Sequence, residues 1–96
     1  MEISKAHALP GEDNYSISYA AGTVGLSVQS LRLYESRGLV VPRRTNGGTR
    51  KYSRVDLARI GRIVELLGEG LNLAGIERVL ILEEENRLLR ARLSKR

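Results

Sequence analysis

Between Arg32 and Arg54 the chain carries seven basic side chains: Arg32, Arg37, Arg43, Arg44, Arg50, Lys51 and Arg54. One acid, Glu35, lies among them. The segment has a charge of +6 in a chain whose formal net charge is +5, so the remainder sums to −1. Guanidinium groups gathered this way grip phosphate oxygens, often through two parallel hydrogen bonds. Focused positive charge on a small fold is the electrostatic footprint of a nucleic-acid binder. The alternative for such a cluster is a solvated surface face. Its density and its place beside a helical pattern favour DNA.

Other chemistries lack their residues. Among 96 residues there is no cysteine, which excludes disulfides, thiolate metal sites and thiol redox chemistry. The single histidine, His7, sits in a polar leader and reads as a solvated tail residue, because a metal site needs several convergent ligands. No histidine, cysteine or carboxylate constellation supports an enzyme, and no cofactor is expected. Gly47-Gly48 lies in a glycine-rich loop that in another setting cradles a nucleotide phosphate. Here no Walker pattern follows and no strand-to-helix unit surrounds it. Apolar runs fall far short of a membrane span, and the first residues lack a signal-peptide core. The expected location is the cytoplasm.

The elements that position the basic cluster can be read in order. Residues 1–14 are polar, ending in Pro-Gly-Glu-Asp-Asn, and read as a flexible leader. Tyr15-Ser16-Ile17 reads as a very short strand and Ser18 as the N-cap of a first helix. Ala20, Ala21 and Val24 share one face of that helix. Gly25-Leu26-Ser27 is the turn, with glycine for positive φ, leucine to plug the core and Ser27 to cap a second helix. In the second helix Val28, Leu31 and Tyr34 face inward, which leaves Gln29, Ser30, Arg32 and Arg37 outside. Gly38 stops it.

Leu39-Val40-Val41 reads as a short β-prone run ended by Pro42. Asn46-Gly47-Gly48, flanked by residues 43–45 and 49–52, reads as a two-stranded hairpin with a basic tip. Ser53 and Asp56 form a variant capping box for a third helix, on which Leu57, Ile60, Ile63, Val64 and Leu67 keep the helical period. Gly68 and Gly70 end it. Residues 73–93 form a last helix, or a short helix running into a longer one.

Within that segment Val79, Leu82, Asn86, Leu89 and Leu93 alternate by three and four, as the a and d positions of two heptads. A polar residue at an a position fixes register and partner number, which is the role read for Asn86. Arg78, Glu83, Glu85, Arg90 and Arg92 then take flanking e and g positions. Two heptads are too short for an isolated coiled coil. The alternative is an amphipathic helix packed on its own domain.

A helix-turn-helix places its second helix in the major groove. Gln29 suits adenine and Arg32 suits guanine or a phosphate. The hairpin would lie over the backbone as a wing, with Arg43, Arg44 and Arg50 on phosphates or in a narrow minor groove. Ser27, Ser30, Arg37, Thr49 and Lys51 complete the expected DNA-binding set. Tyr34 and Tyr52 suit either core packing or phosphate contacts through their hydroxyls.

The run YSISYAAGTVGLSVQSLRLYESRGLVVPRRTNGGTRKYSRVDL resembles the N-terminal domain of the MerR family of bacterial transcription regulators. The motifs are the helix-turn-helix, Leu-Arg-x-Tyr-Glu at 31–35, Gly38-Leu39, the Arg-Lys-Tyr-Ser of the wing and Asp56-Leu57. Gly70 to Ile76, with Arg43-Arg44-Thr45 and Gly47-Gly48, is similar to the heat-shock repressor (HspR) branch. The resemblance covers residues 15–80. It implies a mainly α fold: a winged helix-turn-helix over 15–77, with a small β-hairpin wing, and a C-terminal coiled-coil dimerisation helix over 78–96. It implies DNA contacts by Arg32, Tyr34, Arg50 and Tyr52, an antiparallel homodimer, and inverted-repeat operators. Many members carry two aromatics where this chain has Leu33 and Tyr34. The cysteine-based metal and redox sensing of other members is not expected here, nor is a large drug-binding domain.

The expected function is therefore a homodimeric, sequence-specific transcription regulator acting as a repressor on double-stranded DNA. Its rivals are an architectural or recombination accessory factor that bends DNA, and an adaptor whose last helix binds a chaperone or another protein.

Overall fold

The computed structural model describes residues 14–95. The leader reading, His7 included, lies outside the described residues except at Asn14. The order is α1 (Ile17–Thr23), α2 (Val28–Ser36), β1 (Arg43–Arg44), β2 (Arg50–Lys51), α3 (Arg54–Gly68) and α4 (Leu73–Ser94). The chain divides into two compact units, one ending at Arg62 and the other beginning at Ile63.

In the first unit each helix starts where a side chain satisfies an orphan amide. Ser16, not Ser18, caps α1 and accepts from the Tyr19 amide at 3.1 Å. The expected strand at 15–17 shrinks to one bridge, because the helix begins at Ile17 and leaves only Tyr15 free to pair. Tyr15 exchanges both backbone hydrogen bonds with Tyr52, at 2.9 and 2.8 Å. Ser27 caps α2 through the Ser30 amide at 3.0 Å. Ser53 and Asp56 cap α3 reciprocally, at 2.8 and 3.0 Å.

Two helix ends set the path of the chain. After α1, Gly25 adopts φ +75°, and the Leu26 amide reaches back to the Ala21 carbonyl at 2.9 Å. After α2, Gly38 adopts φ +77°, and the Leu39 amide reaches the Tyr34 carbonyl at 3.0 Å. Both are Schellman closures, in which the left-handed residue carries no Cβ penalty.

The second closure explains why Leu39-Val40-Val41 is not a strand. The chain turns off α2, finds no ladder to join, and drops Leu39 and Val40 into the core while Val41 stays 76% exposed. The Arg59 guanidinium donates to the Leu39 carbonyl and fixes this corner to α3. The first unit buries Ala20, Ala21, Leu31, Tyr34, Leu39, Val40, Tyr52 and Ile60.

In the second unit, the end of α3 and α4 bury Ile63, Leu66, Ile76 and Leu80. Residues 73–94 form one helix without a break, capped by Asn72 on the Gly75 amide at 2.8 Å. From Ile81 onward every described residue of α4 is exposed, including Leu82, Leu88, Leu89 and Leu93. The Asn86 carboxamide accepts from Arg90 at 3.3 Å. Among the described residues no helix is long and apolar enough to cross a membrane.

Candidate nucleic-acid interface

The outer face of α2 is set by its inner one. Leu31 and Tyr34 are buried three residues apart, so Gln29, Arg32, Leu33 and Arg37 project outward and are exposed. Ser27 and Ser30 lie at the start of this face. Their hydroxyls bond each other at 3.0 Å, so capping occupies them.

The wing is an antiparallel pair with Arg43 opposite Lys51 and Arg44 opposite Arg50. Thr45 and Thr49 close its loop: the Thr45 amide donates to the Thr49 carbonyl at 2.9 Å, and the Thr49 amide to the Thr45 hydroxyl at 3.1 Å. The tip, Asn46-Gly47-Gly48, is uncharged. The expected basic tip is thus corrected: the positive charge lies on the strands, because the turn needs glycine at Gly48, φ +88°.

The wing's basic groups are not equivalent. Arg43 is exposed and donates to the Asn14 carboxamide at 2.9 Å. Arg44 is half-exposed and donates to the Gly48 carbonyl at 3.0 Å. Arg50 is mostly covered, and its Nε lies 2.8 and 2.9 Å from the two carboxylate oxygens of Glu35. Arg44 lies 3.5 Å from the same carboxylate. Lys51 is half-buried. A cleft of about 400 Å³ opens between α2 and the wing, lined by Arg32, Glu35, Ser36, Val41, Arg44 and Arg50 among others.

The two tyrosines fall inside. Tyr34 is 6% exposed. Tyr52 is fully buried, and its hydroxyl has no hydrogen-bond partner. Burial pushes the Tyr52 phenol up to about 12, and the charge of Glu35 adds to the effect. Of the two roles that the sequence left open for Tyr52, its burial is that of a core residue.

The structure therefore brings Gln29, Arg32, Arg37, Arg43, Arg44 and Thr49 to the surface of one unit. It turns Tyr34 and Tyr52 inward and engages Arg50 internally. Sequence reasoning passed over Glu35 as a functional residue. The available signal was its isolation, one acid among seven bases. Among the described residues no three His, Cys, Asp or Glu side chains cluster to hold a metal.

A helix-turn-helix followed by a two-stranded wing, with arginines along both, defines a winged helix-turn-helix module. The family described as MerR HTH family regulatory protein matches residues 15–82, and the chain belongs to that family. It is 46% identical over 79 residues to a Streptomyces coelicolor protein described as a heat shock protein, HspR, which covers 81% of this chain and 52% of that protein. It is 44% identical over 59 residues to the HTH-type transcriptional regulator GlnR of Bacillus anthracis, covering 62% of this chain and 46% of that one. The fold is similar to the N-terminal part of the Bacillus subtilis multidrug transporter activator MtaN, with a TM-score of 0.65 at 25% identity, over 84% of this chain and 86% of that one. The chain spans about half the length of the curated relatives it matches. These relatives are transcription regulators or stress proteins, not enzymes.

Proposed function

We propose that the chain is a transcription repressor that binds an inverted-repeat operator in double-stranded DNA as a homodimer. The observation that carries this reading is the set of exposed basic side chains on the outer face of α2 and on the wing, Arg32, Arg37, Arg43 and Arg44. Gln29 and Arg32 point outward from the helix, where a major groove would present adenine and guanine edges. Arg37, Arg43, Arg44 and Lys51 supply phosphate contacts, which set register without reading sequence. The likeness to GlnR, a transcriptional regulator, supports a regulator over an architectural protein.

The homodimer reading rests on the exposed second half of α4. Leu82, Leu89 and Leu93 are each more than half exposed, and Val79 and Asn86 complete the 3-4 spacing. Exposed leucines at heptad spacing on one helix are the sequence of a seam seeking a second copy. Pairing two modules would place two recognition helices on two half-sites of a palindrome.

Selection of bound DNA from a random-sequence pool tests the reading. An inverted repeat is the expected product, with a half-site spacing set by the dimer. About eight phosphate contacts per dimer predict a log–log salt slope near −7. A salt-insensitive affinity refutes the interface. Binding without any recovered motif points to an architectural protein instead.

A further inference from the structure

The wing's own strands hold it weakly. It has two rungs, Arg44 opposite Arg50 and Arg43 opposite Lys51, and both place like charges directly across the ladder. Like charges at cross-strand positions are destabilising, and an isolated two-stranded hairpin is marginal even without them. Something outside the hairpin must offset the repulsion.

Glu35 is placed to do so. It lies in the last turn of α2, where a negative charge opposes the helix dipole and no basic residue is present to balance it. It also lies in the one face expected to meet a polyanion, where an acid weakens binding. Both costs are offset by a single arrangement. The carboxylate is 14% exposed, accepts both bonds from Arg50 Nε, and lies 3.5 Å from Arg44. Arg44 and Arg50 are the two members of one rung. One carboxylate from the recognition helix thus sits between the charges that would split the wing.

We propose that Glu35 is the positioning residue that locks the wing to the recognition helix, turning a repulsive Arg44–Arg50 rung into a three-charge bridge. Arg50 then serves as the internal half of that bridge, and phosphate contact passes to Arg43, Arg44 and Lys51. The consequence for DNA rests on the binding reading above, whereas the wing's order does not.

The test has two readouts. Amide hydrogen exchange reports the wing without DNA. In Glu35→Ala the Thr45 and Gly48 amides, both bonded within the loop, should lose protection by tenfold or more, while the Ile60 amide in α3 is unchanged. Glu35→Gln keeps the shape and removes the charge, and should lose at least threefold. Wild-type exchange at Thr45 and Gly48 in Glu35→Gln overturns the proposal, since the charge would then not hold the wing. The second readout is binding to the selected operator and to unrelated DNA at one salt concentration. Glu35→Ala adds one positive charge, so a residue acting only through charge would tighten both. A positioning residue predicts at least a tenfold loss on operator with unrelated DNA unchanged or tighter. Tightening on both overturns the proposal. Absence of DNA binding in the parent chain would sink the operator reading, and exchange at Thr45 and Gly48 would still decide the role of Glu35.

Discussion

Removing one oxygen atom from the core should stabilise this protein. Tyr52 is fully buried, and its hydroxyl has no partner. A buried hydroxyl without a hydrogen bond costs about 1–3 kcal/mol, whereas the ring contributes its full apolar burial. Tyr52→Phe keeps the ring and deletes the unsatisfied group. The Tyr15 bridge survives, because it uses only backbone atoms. A gain of about 1 kcal/mol is expected, which raises Tm by about 4–8 °C for a domain of this size.

A pH series adds a second signature. The phenol is raised from 10.0 to about 12 by burial first and Glu35 second. A raised folded-state value means that the folded protein holds its proton where the unfolded chain has lost it. The associated stability is complete below pH 10 and is lost as pH climbs from 10 through about 12. Tyr52→Phe lacks this titration, so its advantage over the parent should widen across that window. Differential scanning calorimetry on both proteins at pH 7, 10 and 11 measures it. A lower Tm for the variant at pH 7 would refute the argument and show that the hydroxyl finds a partner in solution. A tenfold loss of operator affinity with Tm unchanged would return Tyr52 to the DNA surface.

Three further outcomes are expected. Arg43→Ala removes one phosphate contact per protomer, so in a dimer the log–log salt slope should fall by about 1.8, with weakening similar on all sequences; an unchanged slope by fluorescence anisotropy would place Arg43 off the DNA. Asn86→Leu should tighten self-association and relax its stoichiometry, read by sedimentation equilibrium; unchanged mass and unchanged Tm would remove residue 86 from any seam. Gly38→Ala forces a side chain into φ +77° and should cost about 1–2 kcal/mol in chemical denaturation, although nothing within 4 Å would obstruct the new Cβ; a neutral result would mean that the turn after α2 relaxes freely.

Local signals were legible wherever the deciding hydrogen bond spans only a few residues. Ser27 caps Ser30, Ser53 and Asp56 cap each other, and Gly25 and Gly38 close their helices from five residues back. Each of these depends on chemistry inside one turn, so residue type and spacing suffice. The same holds for the wing, whose Asn46-Gly47-Gly48 turn leaves little choice of register. Ser18 was a near miss for Ser16, since both serines suit an N-cap and only the Tyr15–Tyr52 bridge, fixing where the extended chain ends, separates them.

By itself, then, the sequence determined the order of the helices and the hairpin, the inward face of α2 and the concentration of positive charge. Tertiary structure decided what those charges and rings do. Arg50 and Lys51 are adjacent in sequence and both positively charged, yet Arg50 is bound to Glu35, fifteen residues away. Tyr52 matched a phosphate contact by type, yet folding buries it and pairs its backbone with Tyr15, whereas Tyr34 lies on the inward face that its spacing with Leu31 already indicated. The physical reason is range. A cap is settled by atoms a single turn apart, whereas burial and charge pairing depend on which distant segments the turns after α1 and α2 bring together.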